Sequence, residues 1–208
     1  MFYNAALFDF TQEFEKNWRA IREEYLNLDD KILDFHRDSV PYEEYAYELL
    51  SNNGWTYSWQ VNSSEPNYNW LTYGLCFQDL FPQEAEHKFP TTASLLSRFH
   101  GIRMCGFSLM KPLSFIAPHS HGDVEENILS YHLGIDVVAG KNHLWVNGNF
   151  EEERNGKSII FHASNEHFAI NMSDANRVIL YMEFDQTKIA LKQPEKETTN
   201  SAKLLTYT

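Results

Sequence analysis

Cysteine is scarce in this chain. Cys76 and Cys105 are the only two among 208 residues, too few for a disulfide framework and without the CxxC spacing of a zinc or redox site. Basic side chains are also few, 17 Lys and Arg against 29 Asp and Glu, for a formal net charge of -12. A field of that sign repels phosphate and no basic stripe interrupts it, so nucleic acid and anionic membrane surfaces are not expected partners. No stretch reaches the ~18 uninterrupted apolar residues of a membrane span. The opening MFYNAALFDF has neither the basic region nor the long apolar stretch of a secretion signal. Together these absences predict a cytoplasmic protein with two buried, reduced thiols.

What is abundant is hydrophobic and aromatic material: 43% hydrophobic side chains, with 15 Phe, 11 Tyr and 5 Trp. That content, at this length, predicts one domain over 1–208 with a substantial core. Phe14, Trp18, Ile21, Tyr25 and Leu28 recur at helical spacing behind a candidate Asp9 cap, with Gln12 three residues on. Pro41 precedes a short possible helix, and Pro90-Thr91-Thr92 introduces another in ASLLSRF.

From Gly54 the pattern changes to short strand-like stretches, Trp55 to Val61 and Trp70 to Phe77, joined by the loop NSSEPN. After Arg103 strand candidates crowd together: Arg103 to Met110, Phe115 to His119, Ile128 to Val138, His143 to Val146, Ser158 to Phe161, Phe168 to Met172 and Arg177 to Phe184. Their number and spacing predict a mainly β protein with a closed or sandwiched antiparallel sheet, a jelly roll with packed N-terminal helices. The division is a helical and mixed supporting region over 1–100, a metal-binding jelly-roll core over 101–185 and a polar tail over 186–208.

The chemistry concentrates in two places. PHSHGDVEEN sets His119, His121, Asp123, Glu125 and Glu126 within eight positions, and FHASNEHFAIN carries His162 and His167. Imidazole and carboxylate suit Fe(II), and two histidines with one carboxylate leave coordination positions open. His121-Gly122-Asp123 has HxD spacing, with His167 the third candidate once the sheet folds. A rival pattern, His119-x-His121-x3-Glu125 followed by Gly156 and His167-x3-Asn171, resembles the two metal motifs of cupins. Both readings share His121 and His167 and place the metal in the same barrel. His87, His100 and His143 lack comparable neighbours and read as ordinary surface or packing residues.

GW at Gly54, FPTTASLL from Phe89, FSLMKP from Phe107, APH ending at His119, YHLGI from Tyr131 and NEHFAIN before Arg177 occur in order. In that order the chain resembles the aspartyl/asparaginyl beta-hydroxylase family of Fe(II)/2-oxoglutarate-dependent oxygenases. The resemblance spans about Gly54 to Phe184 and implies a double-stranded beta-helix, cupin-like, with iron held by His167 and an earlier histidine. Counting forward from Ser108 points to His119, and counting back from His132 points to His121. His121 with Asp123 is preferred here because a hard carboxylate suits Fe(II); His119 and Glu125 remain alternatives.

The resemblance also implies that Ser108, His132 and Arg177 hold 2-oxoglutarate, the Arg177 fork gripping its distal carboxylate. It implies oxidative decarboxylation to succinate coupled to use of dioxygen and hydroxylation of an amino acid, an amino-acid-derived metabolite or a peptide side chain. Two positions depart from the family pattern: Ser130 replaces a frequent basic residue, and Ala163 replaces an acidic residue of some members. Two other functions stand beside this one, a cupin-like metal-dependent dioxygenase or isomerase without 2-oxoglutarate and a non-catalytic jelly-roll binding protein.

Overall fold

The computed structural model describes residues 1–34, 41–63, 65–82, 84–122 and 124–189. In chain order the elements are β1 (Phe2–Tyr3), α1 (Asp9–Leu26), α2 (Tyr42–Asn52), β2 (Trp55–Trp59), β3 (Pro66–Phe77), α3 (Ala85–Lys88) and α4 (Pro90–Leu96). There follow β4 (Ile102–Met110), β5 (Ser114–Phe115), β6 (Ile128–Asp136), β7 (Asn142–Val146), β8 (Asn149–Glu152), β9 (Ser158–Phe161), β10 (His167–Asn171) and β11 (Arg177–Asp185). The polar tail expected over 186–208 falls outside the described residues from 190 onward.

Two antiparallel sheets form, a seven-stranded one in the order β1-β9-β6-β11-β4-β3-β2 and a four-stranded one in the order β5-β10-β7-β8. Strands β1, β2 and β3, all from the first hundred residues, extend the large sheet on both sides of its centre. The mainly β, two-sheet build with packed N-terminal helices matches the sequence reading. The full closure of a double-stranded beta-helix does not: among the described residues no strand ladder joins the sheets. At one border of the small sheet lies β5, two residues long and paired with β10 alone among the described strands.

Strand β11 shows how the layers are made. Val178, Leu180, Met182 and Phe184 enter the large core, whereas Arg177, Ile179, Tyr181 and Glu183 line a cavity on the other face. This is the two-residue period of a strand with both faces covered. The first face packs on α1, whose Phe10, Phe14 and Ile21 are buried. The second faces the small sheet across a cluster that includes Leu144, Val146, Phe161 and Ala169.

The start of α1 differs from expectation in one detail. Asp9 is its first helical residue and not its cap; Phe8 occupies the cap position with no side-chain bond. The Thr11 hydroxyl takes over the anchoring, donating to the carbonyls of Ala5 (2.9 Å) and Phe8 (2.8 Å). Near the other end of α1, buried Glu24 accepts from the Thr91 and Thr92 N–H groups and from the Thr92 hydroxyl. A carboxylate at the first turn of α4, which opens with Pro90, satisfies otherwise unpaired donors and complements the helix dipole.

Strand β7 was expected as His143 to Val146, but its hairpin partner β8 was not among the strands expected above, although the turn between them carries a signal. Asn147 and Gly148 both have positive φ, 44° and 90°, as a two-residue primed turn requires.

Candidate metal centre

The histidine cluster is built by backbone pairing. His119 N–H donates to the His167 carbonyl at 3.0 Å, and His167 N–H donates back to the His119 carbonyl at 2.9 Å. The reciprocal bridge joins the loop after β5 to the first residue of β10. His121 is tied down by its N–H bond to the Ala163 carbonyl, 2.9 Å.

Side chains complete the arrangement. His119 Nδ1 lies 2.8 Å from the Ala117 carbonyl and His167 Nδ1 lies 2.9 Å from the Asn165 carbonyl. A carbonyl only accepts, so each Nδ1 carries the proton and leaves Nε2 with a bare lone pair. His121 Nε2 is buried without a hydrogen-bond partner among the described residues. One ligand atom from each of His119, His121 and His167 falls within 4.8 Å of the others. Three clustered imidazoles, two of them with the second nitrogen oriented by a carbonyl, fit a transition-metal ion.

The electrostatics keep the site ready for a cation. Burial lowers the His119 pKa, partly countered by the Ala117 bond, with His121 lowering it further. Burial likewise takes His167 down to about 3, assisted by the neighbouring histidines and opposed by the Asn165 bond. Both rings are therefore neutral near pH 7, the form that coordinates metal.

Of the other sequence candidates, Asp123 lies outside the described residues. Glu125 is exposed and does not belong to the ligand cluster. His162 uses its ring internally: Nε2 lies 3.0 Å from the Glu126 carbonyl, and Nδ1 is 2.7 Å from the Ser164 hydroxyl. His119 and His121, alternatives under motif counting but joint ligands in the cupin-like spacing, are brought together with His167.

The histidines open onto a cavity of about 340 Å³, lined also by Ser108, His132 and Arg177. The three residues expected around 2-oxoglutarate therefore share a cavity with the candidate metal ligands. Their present partners are all from the protein. The Trp70 indole N–H donates to Ser108 Oγ at 3.0 Å. Arg177 is 1% exposed and meets Glu153 side-on, Nε to Oε2 at 2.7 Å and Nη2 to Oε1. His132 Nδ1 lies 3.0 Å from the same Glu153 Oε1. Burial alone would raise the Glu153 pKa, yet Arg177 and His132 bring it down to about 2.

A second carboxylate, Glu183, borders the metal end. It accepts from Tyr181 Oη at 2.6 Å and from Arg103 Nη1 at 3.1 Å, and its Oε1 stands 3.7 Å from His121 Nδ1. That last separation is an electrostatic contact, too long for a hydrogen bond. Despite burial, His121, Tyr181 and Arg103 keep Glu183 below the usual carboxylate range.

Neither glutamate was a sequence candidate. Glu183 had a readable signal, a charged residue in the strongly apolar run RVILYMEF at the same parity as Arg177. Glu153 had none, since it follows Glu151 and Glu152 and only the fold buries it, at 1% exposure.

With this geometry in place, the model of the family described as aspartyl/asparaginyl beta-hydroxylase matches residues 15–187. The chain belongs to that family. A curated relative, the ornithine lipid ester-linked acyl 2-hydroxylase of Rhizobium tropici, is 24% identical over 88% of this chain. The match spans 59% of that relative's length.

Among solved structures, a predicted oxalate decarboxylase from Thermotoga maritima is 15% identical, covering 55% of this chain and 79% of that one, with a TM-score of 0.37. The cupin domain of Schizosaccharomyces pombe Cnp3 is 12% identical over 62% and 74% of the two chains, with a TM-score of 0.38. No helix among the described residues is long and apolar enough to cross a membrane.

Proposed function

We propose that the protein is a metal-dependent enzyme whose ion is held by His119, His121 and His167, and that it works without 2-oxoglutarate anchored at Arg177. This is the cupin-like reading, a dioxygenase or isomerase. The convergence of three imidazoles within 4.8 Å, one with a buried unpartnered nitrogen, carries it. A transition metal bound there would supply Lewis acidity or oxygen chemistry. The protein's own part is to fix the imidazole orientations through the Ala117 and Asn165 carbonyls and to seat the substrate beside them. The cavity walls include Leu49, Trp59, Val61, Trp70 and Leu144, which suit an apolar segment and help exclude water. The name of the Rhizobium relative is consistent with an acyl chain as that segment.

A second reading, Fe(II)/2-oxoglutarate-dependent hydroxylation with His121, Asp123 and His167 as ligands, is favoured by family membership and by Ser108, His132 and Arg177 sharing the cavity. Anaerobic titration with Fe(II), followed by 2-oxoglutarate, separates the readings. Stoichiometric metal binding with no charge-transfer band on adding 2-oxoglutarate is the expected result. A band accompanied by substrate-stimulated succinate formation would establish the second reading. Absence of stoichiometric metal binding would leave the non-catalytic jelly roll.

A further inference from the structure

The arginine end of the cavity holds one carboxylate doing two jobs. Glu153 follows β8, and its backbone N–H is fixed by a 2.9 Å bond to the Asn142 carbonyl. From there the side chain covers the Nε and Nη2 edge of Arg177 with both oxygens, and one of those oxygens also faces His132 Nδ1 at 3.0 Å. Glu153 and Arg177 are each 1% exposed. A side-on, two-point grip is the geometry a ligand carboxylate would itself use on a guanidinium.

Among the described residues lining the cavity, the other guanidinium is engaged elsewhere. Arg103, the other arginine lining the cavity, is paired with Glu183 at 3.1 Å. A carboxylate brought to Arg177 from outside would sit beside Glu153 in a surrounding of low polarity, where like charges repel strongly. The cavity wall also includes the apolar side chains of Trp70, Ile179 and Leu144.

We infer that Glu153 is a specificity-determining residue: by occupying the side-on face of Arg177 and the Nδ1 proton of His132, it closes this end to anionic ligands and reserves the cavity for an uncharged, apolar substrate segment. The inference rests on the 2-oxoglutarate-independent reading of the site and gives that reading its physical cause.

Calorimetry on the metal-loaded protein under anaerobic conditions tests it, with 2-oxoglutarate as the anionic probe and 1-octanol as the uncharged one. Wild type should give no saturable heat with 2-oxoglutarate and a saturable response to octanol. Glu153→Gln, which keeps the side-chain volume, and Glu153→Ala should each gain 2-oxoglutarate binding, tighter than any residual wild-type binding by about tenfold or more. Octanol binding should persist in Glu153→Gln. Saturable 2-oxoglutarate binding by wild type, or no gain in a folded Glu153→Gln, overturns the inference. So does absence of octanol binding by wild type. Should both variants fail to fold, the two wild-type titrations still decide.

Metal occupancy is measured separately on the same samples. Loss of metal binding with anion exclusion intact would defeat the proposed enzyme while leaving the role of Glu153 standing.

Discussion

The two ends of the cavity are both polar, with His167, His132, Arg177 and Glu153 buried and His119 and His121 half-buried, yet they differ in what remains unsatisfied. At the histidine end, His119 and His167 each use Nδ1 on a carbonyl two residues back, and His121 Nε2 has no hydrogen-bond partner among the described residues. At the arginine end, Glu153 accepts from both Arg177 and His132. Burial therefore does not separate a binding site from a structural ion pair. Unmet hydrogen-bonding capacity does, because a buried polar group without a partner is costly and a ligand can remove the cost.

The comparison breaks most visibly at the histidines. Replacing His119, His121 or His167 by alanine should each weaken metal affinity by about a thousandfold or more, roughly 4 kcal/mol, while exposed His87→Ala leaves it unchanged. Metal titration followed by calorimetry reads this directly. Equal affinity in all four variants would remove the distinction between the two ends.

The arginine end should fail in stability instead. Arg177→Leu strands a buried carboxylate, and its expected cost in denaturant unfolding is about 3 kcal/mol. The double variant Arg177→Leu with Glu153→Leu should recover part of that loss, because no uncompensated charge remains. A double variant as unstable as the sum of the singles would show that the pair is not acting as a unit.

Acid sharpens the same point. Glu153 titrates near 2 in the folded protein against an ordinary 4.5, so its stabilisation is complete above about pH 4.5 and is lost as pH falls toward 2. The loss should be on the order of 3 kcal/mol. Acid unfolding of Glu153→Gln should accordingly depend less steeply on pH over that window than wild type; superimposable slopes would contradict the assignment.

The smallest effect is expected between the two ends, at Tyr181. Tyr181→Phe removes the 2.6 Å bond to Glu183, which should cost about 1 kcal/mol of stability. Through the 3.7 Å contact of Glu183 with His121, it should weaken metal affinity by about tenfold or less. Unfolding and metal titration of this one variant measure both.

Much of the fold was legible because periodicity is a local property. Phe14, Trp18, Ile21 and Tyr25 do line the packed face of α1, and Ser158–Phe161 forms a strand with the expected limits. Pro90 begins a helix, as its fixed φ and missing N–H favour. The hairpin strand β8 and the two-residue strand β1 were missed. The first reads NFEE, too polar for a strand pattern, and the second is too short to have a period.

The residues of the candidate site were legible in part for the same reason. His119, His121 and His167 stand in dense, unusual local clusters, and Ser108, His132 and Arg177 belong to ordered motifs of the family. Counting from the family motifs presented His119 and His121 as alternatives, whereas the cupin-like spacing used both, and local spacing could not choose between these patterns. The His119–His167 backbone bridge and the anchoring of His121 at Ala163 place all three together.

By itself, then, the sequence determined where the candidate metal ligands cluster, where most of the strands form, and which face of β11 is inward, because alternation along one strand needs no partner to be read. Only the tertiary structure decided what those inward residues meet. Glu153 is indistinguishable in the run Glu151-Glu152-Glu153, and it becomes the partner of Arg177 because β8 ends beside a strand 24 residues away in the chain. The charge of the cavity depends on that pairing, and pairing across the sequence is set by how the sheets stack, which local pattern does not encode.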